Sequence, residues 1–504
     1  MIKQVWQKQA LPSEEYASKA LPQIMNTSDL TMVFMMIMFF INNPVGTAGA
    51  GAVSFTYWII GAVVFFIPCV IATAQLGSMF PYEGSTYNWT HKALGGFWSL
   101  FASVSYWVPG VLGMVAGAGI GVTFIQGLHT GWLAEPWQQG LLLIGFLLFS
   151  AFLSTQRLRI VLNIVKVVML LTWAVIALLG LAAIVWLLTG HHSATNFAET
   201  RDWAITPGTF GLFGTVTLAY LGADVSLNMG GEVTTRKAIP RHLLIGGIGV
   251  IVCYLIVTLS LLVVQGADAA NVGPFAIIAL IDQVFGKILG NIAAVCVIAF
   301  FPIFTTVLNC SFARLLMVTS IDRRLPIGLG RLNKNRAPAN AIIFQTLVAI
   351  VFVLLAFLAP YVIAFTKPAD LANEVFTISL SALTLMWAIS TSFLFVDLAV
   401  LYFRDRQFFR QHLIVPMPIL WICIIVAPVA CVLAIVVTLY YSPIPQLIGN
   451  NQWGYLVGGL TAGCLVIAAV ASMFATSEAA WQDQVGTNDI QWIDGSNRNN
   501  RPLQ

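Results

Sequence analysis

Residues 28–50 read SDLTMVFMMIMFFINNPVGTAGA. This run decides the fold. It is apolar and long enough to cross a bilayer, which takes about 20 residues as a helix. Yet Asn42-Asn43-Pro44 interrupts it in the middle. Proline removes an amide and asparagine favours caps over helix interiors, so the helix is expected to break there. A second run, 207–231, carries Tyr220-Leu221-Gly222-Ala223-Asp224 at a similar place. Two broken spans at matching positions in two halves point to a solute site near the membrane midplane. A break frees backbone amides and carbonyls, which bind a polar solute without adding charge. Prolines and glycines also occur in membrane helices as kinks and packing sites. It is the paired placement that favours a binding role.

The rest of the chain fits this setting. Its 504 residues are 59% hydrophobic and 9% charged, against about 25% charged in soluble proteins. So few charges cannot cover a water-facing surface, and a soluble protein is excluded. The pattern predicts an all-α polytopic membrane protein with twelve transmembrane helices. They lie over 28–50, 53–79, 97–127, 138–154, 158–189, 207–231, 241–265, 287–318, 339–361, 374–403, 413–441 and 453–475. Backbone groups in lipid must pair within their own segment, which makes these spans helices. No run of short alternating strands suggests a barrel. The segment 267–286 is moderately apolar and is expected as a helix lying on the outer side.

Charge supports an even number of spans. With the N-terminus inside, the inner segments and tails hold 20 of the 24 Lys and Arg residues. The outer segments hold Arg201, Lys287 and Lys367, and Lys166 lies within a span. This asymmetry is the positive-inside signature. The expected place is the plasma (inner) membrane, with both termini cytoplasmic. Residues 1–27 form a polar N-terminal tail and 476–504 a C-terminal tail, expected to be disordered. The net charge of +4 reflects topology and does not call for nucleic acid. All seven cysteines lie in apolar runs, with no CxxC and no histidine at metal-ligand spacing. No metal, disulfide or cofactor is expected. The absence of a P-loop excludes direct drive by ATP.

Three motifs carry a resemblance. Residues 219–243 read AYLGADVSLNMGGEVTTRKAIPRHL, 311–341 read SFARLLMVTSIDRRLPIGLGRLNKNRAPANA, and 81–89 read PYEGSTYNW. Together they resemble the amino acid–polyamine–organocation (APC) superfamily, nearest to the glutamate–GABA and arginine–agmatine exchangers. The resemblance implies two inverted five-helix repeats, 28–189 and 207–403, with two extra helices in 413–475. It also implies a central site between spans one, three, six, eight and ten. The substrate would be a small amino acid or its amine derivative, moved as a permease or antiporter by alternating access. One departure matters. Where the family often has Gly-Ser-Gly in the first span, this chain has Met35-Met36-Ile37-Met38-Phe39, without glycine. An amine lacking a carboxylate is therefore an alternative substrate.

On this reading Met36, Ile37, Met38, Asn42, Tyr106, Tyr220, Leu221, Gly222, Ala223 and Asp224 surround the substrate. Asp224 would bind an amine or a proton, or else cap the helix that follows. Asn42 and Asn43 would donate to substrate or cap a helix end. Tyr106-Trp107 and Tyr220 would close over the substrate or merely pack. Lys166 lies about nine residues, or about 13 Å, into its span, where an ammonium is costly and usually functional. The resemblance places it where sodium-coupled relatives hold a cation, beside Thr305 and Thr306. That makes transport sodium-independent and raises proton linkage. Glu232 with Arg236 or Arg314 forms an inner gate, or a solvated loop. Asp397 is expected to pair with an inner-loop arginine. The expected partners are the substrate, protons and lipid. Rival readings are a polyamine or organic amine carrier, an amino acid sensor built on a transporter, and a membrane-embedded enzyme.

Overall fold

The computed structural model describes residues 11–485 apart from 130, 359–360, 362–367 and 444–447, with side chains of 368–374 and 476–485 left aside. The chain is helical nearly throughout. Among the described residues there is no strand, only two isolated bridges, Met25 with Val233 and Glu83 with Met229. Eleven helices among the described residues are long and apolar enough to cross a membrane. Their outward faces expose Val167, Leu170, Ile288, Val295 and Val429, among others. An apolar exterior of this kind is what lipid requires and water penalises.

The first predicted span is two helices. Helix α2 (Thr27–Met38) starts with a capping box in which Asn26 accepts from the Asp29 amide and Asp29 from the Asn26 amide. It ends at Met38, and α3 (Asn43–Ala48) begins after a turn. Pro44 stands in the first turn of α3, where a missing amide costs nothing. Before them, α1 (Pro12–Ala20) folds within what the sequence suggested was a plain tail. Helix α4 covers Val53–Met79 with a π turn at Ala62–Phe66, just ahead of Pro68. The wider turn absorbs the hydrogen bond that proline cannot donate. Then come α5 (Ser85–Leu94), α6 (Gly96–Leu128), α7 (Pro136–Ser154) and α8 (Leu158–Leu188).

The sixth predicted span also breaks. Helix α9 (Gly211–Ala219) stops at Tyr220, and Gly222 turns the chain at φ +107°, a conformation suited to glycine. Two short 3₁₀ turns, Val225–Asn228 and Gly230–Glu232, follow in place of the α-helix expected there. Next are α10 (Ala238–Val264), α11 (Ala276–Phe285), α12 (Lys287–Ile321), α13 (Ala339–Phe357), α14 (Pro368–Thr391) and α15 (Phe393–Arg404). Helices α16 (Arg406–Gln411), α17 (Met417–Tyr440) and α18 (Asn450–Val485) complete the chain. Helix α18 runs to Val485, past residue 475 where the sequence reading ended it. The remainder of the expected tail and Lys367 lie outside the described residues.

The stretch Gly266–Phe285 meets the length and hydropathy of a span. It is nevertheless interrupted at Gly273, and its Ile277, Ile278, Leu280 and Ile281 are buried. The long α6 and α12 pack together at the centre. A Cβ on Gly110 would overlap the Phe312 ring, and one on Gly117 the Phe304 ring. Small residues let membrane helices approach closely, since lipid supplies no hydrophobic drive between them.

Candidate functional site

The two interruptions lie side by side and are held open by named partners. The Tyr254 hydroxyl on α10 donates to the Met38 carbonyl at 2.8 Å. It also accepts from the Phe40 amide at 3.2 Å and from the Asn43 side chain at 3.1 Å. One side chain thus satisfies two of the backbone groups that the break in the first helix releases. Trp58 stacks on Tyr254 with ring centroids 4.2 Å apart and fixes its orientation. Nothing in the sequence singled out Tyr254; an isolated tyrosine inside an apolar span was the available signal.

The second interruption is stapled to neighbouring elements. Thr86 on α5 donates to Asp224 Oδ2 at 2.9 Å. Ser85 donates to Asn228 Oδ1 at 2.9 Å, and Asn228 donates to Ser311 Oγ at 3.2 Å. Ser311 on α12 donates to the Val225 carbonyl at 2.6 Å. Asn228, Ser85 and Ser311 were also missed, because their bonds span long sequence separations. The capping role read for Asp224 is not found: its side chain makes no cap bond to the following turn and pairs with Thr86 instead.

A cavity of about 640 Å³ opens beside the breaks. It runs from Gly208 and Tyr441, on the face opposite the N-terminal segment, down to Ile37, Met38 and Phe304. Of the expected substrate residues, Ile37, Met38, Asn42 and Leu221 line it. Met36, Tyr106, Tyr220, Gly222, Ala223 and Asp224 do not; each is buried behind the wall. Tyr220 stacks on Phe66 at 4.7 Å and donates to the Trp58 carbonyl at 3.4 Å, so it packs and does not cover the cavity. Tyr106 meets Trp387 edge-on at 5.9 Å. Trp107 turns away to Gln345 on α13. Trp387 lines the cavity, and its indole nitrogen is buried without a partner, as is Asn42 Oδ1. Both groups belong to residues of the cavity lining but are themselves covered. Among the described residues, no Asp, Glu, Lys or Arg belongs to the lining.

Toward the N-terminal face lies a buried ion pair. Arg314 holds Glu232 by two bonds, Nε to Oε2 at 2.7 Å and Nη2 to Oε1 at 3.0 Å. Both side chains are almost wholly buried. Arg236, the other candidate partner, is exposed and does not take part. The amides of Ile24 and Met25 both donate to the Glu232 carbonyl at 2.9 Å. Helix α1 then covers this region: Glu14 pairs with Lys92 at 2.8 Å, and Ser13 binds Asp322 through amide and hydroxyl.

The expected cation site is not assembled as read. Lys166 Nζ lies 2.5 Å from Asp29 Oδ1, with Arg159 3.5 Å from the other oxygen. The Thr305 and Thr306 hydroxyls donate to the Phe301 and Pro302 carbonyls of their own helix. Asp29 at the start of α2 forms an ion pair with the ammonium, a partner the sequence reading did not name. Asp397 takes its bond from Thr90 at 2.7 Å, and no arginine pairs with it. No cluster of His, Cys, Asp and Glu able to hold a metal occurs among the described residues.

Comparison with known proteins accords with this arrangement. The branched-chain amino acid permease BcaP of Lactococcus lactis subsp. cremoris is 25% identical over 396 residues, covering 71% of this chain and 79% of that protein. An uncharacterized transporter of Legionella pneumophila, lpg1691, is 24% identical over 66% of this chain and 74% of its own length. The probable agmatine/putrescine antiporter AguD of L. lactis subsp. lactis is 33% identical over 94 residues, 19% of this chain and 20% of that protein. The family model described as amino acid permease matches residues 25–461, from the cap of α2 into α18. Over that length the chain belongs to the amino acid permease family of the APC superfamily.

Proposed function

We propose that this protein is a secondary carrier of neutral amino acids with apolar side chains, working by alternating access. The carrying observation is the cavity beside the two helix breaks: among the described residues it is lined largely by apolar groups and by no charged side chain. A diamine or polyamine brings at least two charges into a poorly solvating site, where each needs a carboxylate. An amino acid brings one ammonium and one carboxylate, which neutralise each other and bind amides and carbonyls at the breaks. Among the described residues, no backbone partner is found for the Ile41 and Asn42 amides at the first break.

The twelve-span count is part of this proposal. Setting aside Gly266–Phe285 as a surface segment and adding the two interrupted spans turns eleven long helices into twelve. The two inverted repeats place the breaks in equivalent helices. The positive-inside asymmetry makes the N-terminal face cytoplasmic. The structure is then closed inside by Glu232–Arg314 and open to the outside. Sodium independence belongs to the same reading, since the Lys166 ammonium is already a fixed cation beside the first helix.

A second reading, an organic amine carrier, is favoured by the buried Asp224 carboxylate behind the cavity wall and by the partial likeness to AguD. Counterflow in proteoliposomes separates the two. Labelled leucine or phenylalanine should exchange, and unlabelled putrescine or agmatine should not compete. Exchange of amines alone would reverse the assignment. Binding of an amino acid with no flux of any solute would make the protein a sensor.

A further inference from the structure

Glu83 is a buried carboxyl to which the account above gives no task. It lies in the link between α4 and α5 and is 2% exposed. Its backbone bridges to Met229, which sets its side chain against the Gly230-Gly231 turn. A Cβ on Gly231 would sit 3.0 Å from Glu83 Oε1. The turn amides of Gly231 and Glu232 face the carboxyl, but neither of its oxygens completes a hydrogen bond of normal geometry. The nearby guanidinium of Arg314 is already engaged by both oxygens of Glu232.

A water-sized space lies beside it, although both carboxyl oxygens are themselves covered. A cavity of about 300 Å³ opens on the N-terminal face, lined by Glu14, Gln23, Tyr82, Glu83, Gly231 and Arg236, among others. One water occupies about 30 Å³, so several fit in the space that Glu83 borders, and a small opening of the turn would bring them to the carboxyl.

We propose that Glu83 is a proton-binding site that ties closure of the Glu232–Arg314 gate to the pH on the N-terminal side. This rests on the carrier reading above. Two carboxylates beside one guanidinium repel each other, so the pair cannot easily carry both charges. With Glu83 protonated, Arg314 belongs to Glu232 and the gate holds. When the O–H bond of the acid breaks, cavity water takes the proton and the new carboxylate competes for Arg314.

Burial and the Glu232 charge push the Glu83 carboxyl well above its ordinary value, and Arg314 only partly offsets them. An opened, hydrated gate would return it toward about 4.3. The closed state therefore binds the proton more tightly. Closure is favoured at low pH and weakens as pH rises through the shifted value. Other charged or titratable groups facing this region are Glu14 from α1, paired with Lys92, together with Tyr82 and the exposed Arg236.

Hydrogen–deuterium exchange on the reconstituted full chain tests this, at pH 5.5 and 8.5 and corrected for intrinsic rates. Segments 81–89 and 228–235 should exchange at least about tenfold faster at the higher pH, which corresponds to one pK unit of linkage. In Glu83→Gln, a permanently neutral mimic, both should stay protected at both values. A wild type without the pH difference, or a Gln variant that keeps it, overturns the proposal. The wild-type comparison stands even where the variant fails to fold. A pH difference without flux of any labelled solute would overturn the carrier reading and leave the proton site in place.

Discussion

Tyr254 and Met38 stand on different helices, and the hydroxyl of one donates to the carbonyl of the other at 2.8 Å. This bond lets the first membrane helix stop in the middle of the bundle. Replacing Tyr254 by Phe removes the hydroxyl and leaves the Met38 carbonyl and Phe40 amide unpaired. Each buried unpaired group costs about 1–3 kcal/mol. Tyr254→Phe should lower the melting temperature and reduce solute counterflow more than Tyr220→Phe, whose hydroxyl makes one 3.4 Å bond. Equal behaviour of the two variants would mean that the break does not depend on this hydroxyl.

Arg314 and Glu232 form a buried bidentate pair. Removing one partner strands the other charge, which costs about 3–5 kcal/mol. Glu232→Ala and Arg314→Ala should each destabilise strongly in thermal unfolding. The double variant should cost clearly less than the sum, because neither charge is then left alone. Additive losses would show that the pair is not coupled.

Lys166 is 30% exposed at its side chain, while Asp29 is fully buried. The expected effects are therefore unequal. Lys166→Ala leaves the buried Asp29 with the Asn26 amide and the longer contact to Arg159, whereas Asp29→Asn leaves a lysine able to reach toward the interface. Thermal unfolding should show the larger loss for Lys166→Ala. If Lys166 also serves transport, the variant should change the rate or its pH dependence in liposomes. Unchanged rate and pH profile would confine the lysine to a structural role.

These predictions also mark where the sequence was readable. Long apolar runs specify helices because lipid leaves the backbone no other partner, and the helix-disfavouring residues at Asn42–Pro44 and Tyr220–Asp224 marked both breaks. What filled those breaks was less legible. Tyr254 is 216 residues from Met38, and Asn228 reaches Ser311 across 83 residues. Such contacts depend on which helices become neighbours, and periodicity does not encode that. Lys166 stood out as costly in a span, but nothing in the sequence tied it to Asp29, its partner in the structure. Asp224 was chosen for its charge, and the structure puts it behind the cavity wall, bonded to Thr86.

Gly222 gives a backbone test of the second break. Its φ of +107° disfavours any side chain, and an added Cβ would also lie 3.3 Å from Trp387. Strain of this kind costs about 1–3 kcal/mol. Gly222→Ala should lower thermal stability by that order and shift Trp387 into the cavity, weakening solute binding. Gly46→Ala is the control, since it would meet nothing within 4 Å. Binding by thermal shift, measured on both, distinguishes strain at the break from a general effect of losing glycine.

Asp322 offers a pH test of the N-terminal helix. Burial raises its carboxyl to about 6, with Glu14 adding to the rise and Ser13 and Tyr87 opposing it. Released from α1 and hydrated, the group would return toward about 3.9. The docked state therefore prefers the protonated acid. Its contribution to docking is fully present below about pH 4 and is lost as pH rises through about 6. Exchange of the α1 amides, corrected for intrinsic rates, should accelerate across that window. In Asp322→Asn the carboxyl cannot ionise, so the acceleration should vanish while Ser13 keeps an acceptor. Glu14 and Lys92 form a separate anchor at 2.8 Å, so the helix should loosen without detaching. Complete release of α1 above pH 6 would mean that Asp322 is the main clasp and the Glu14–Lys92 pair contributes little.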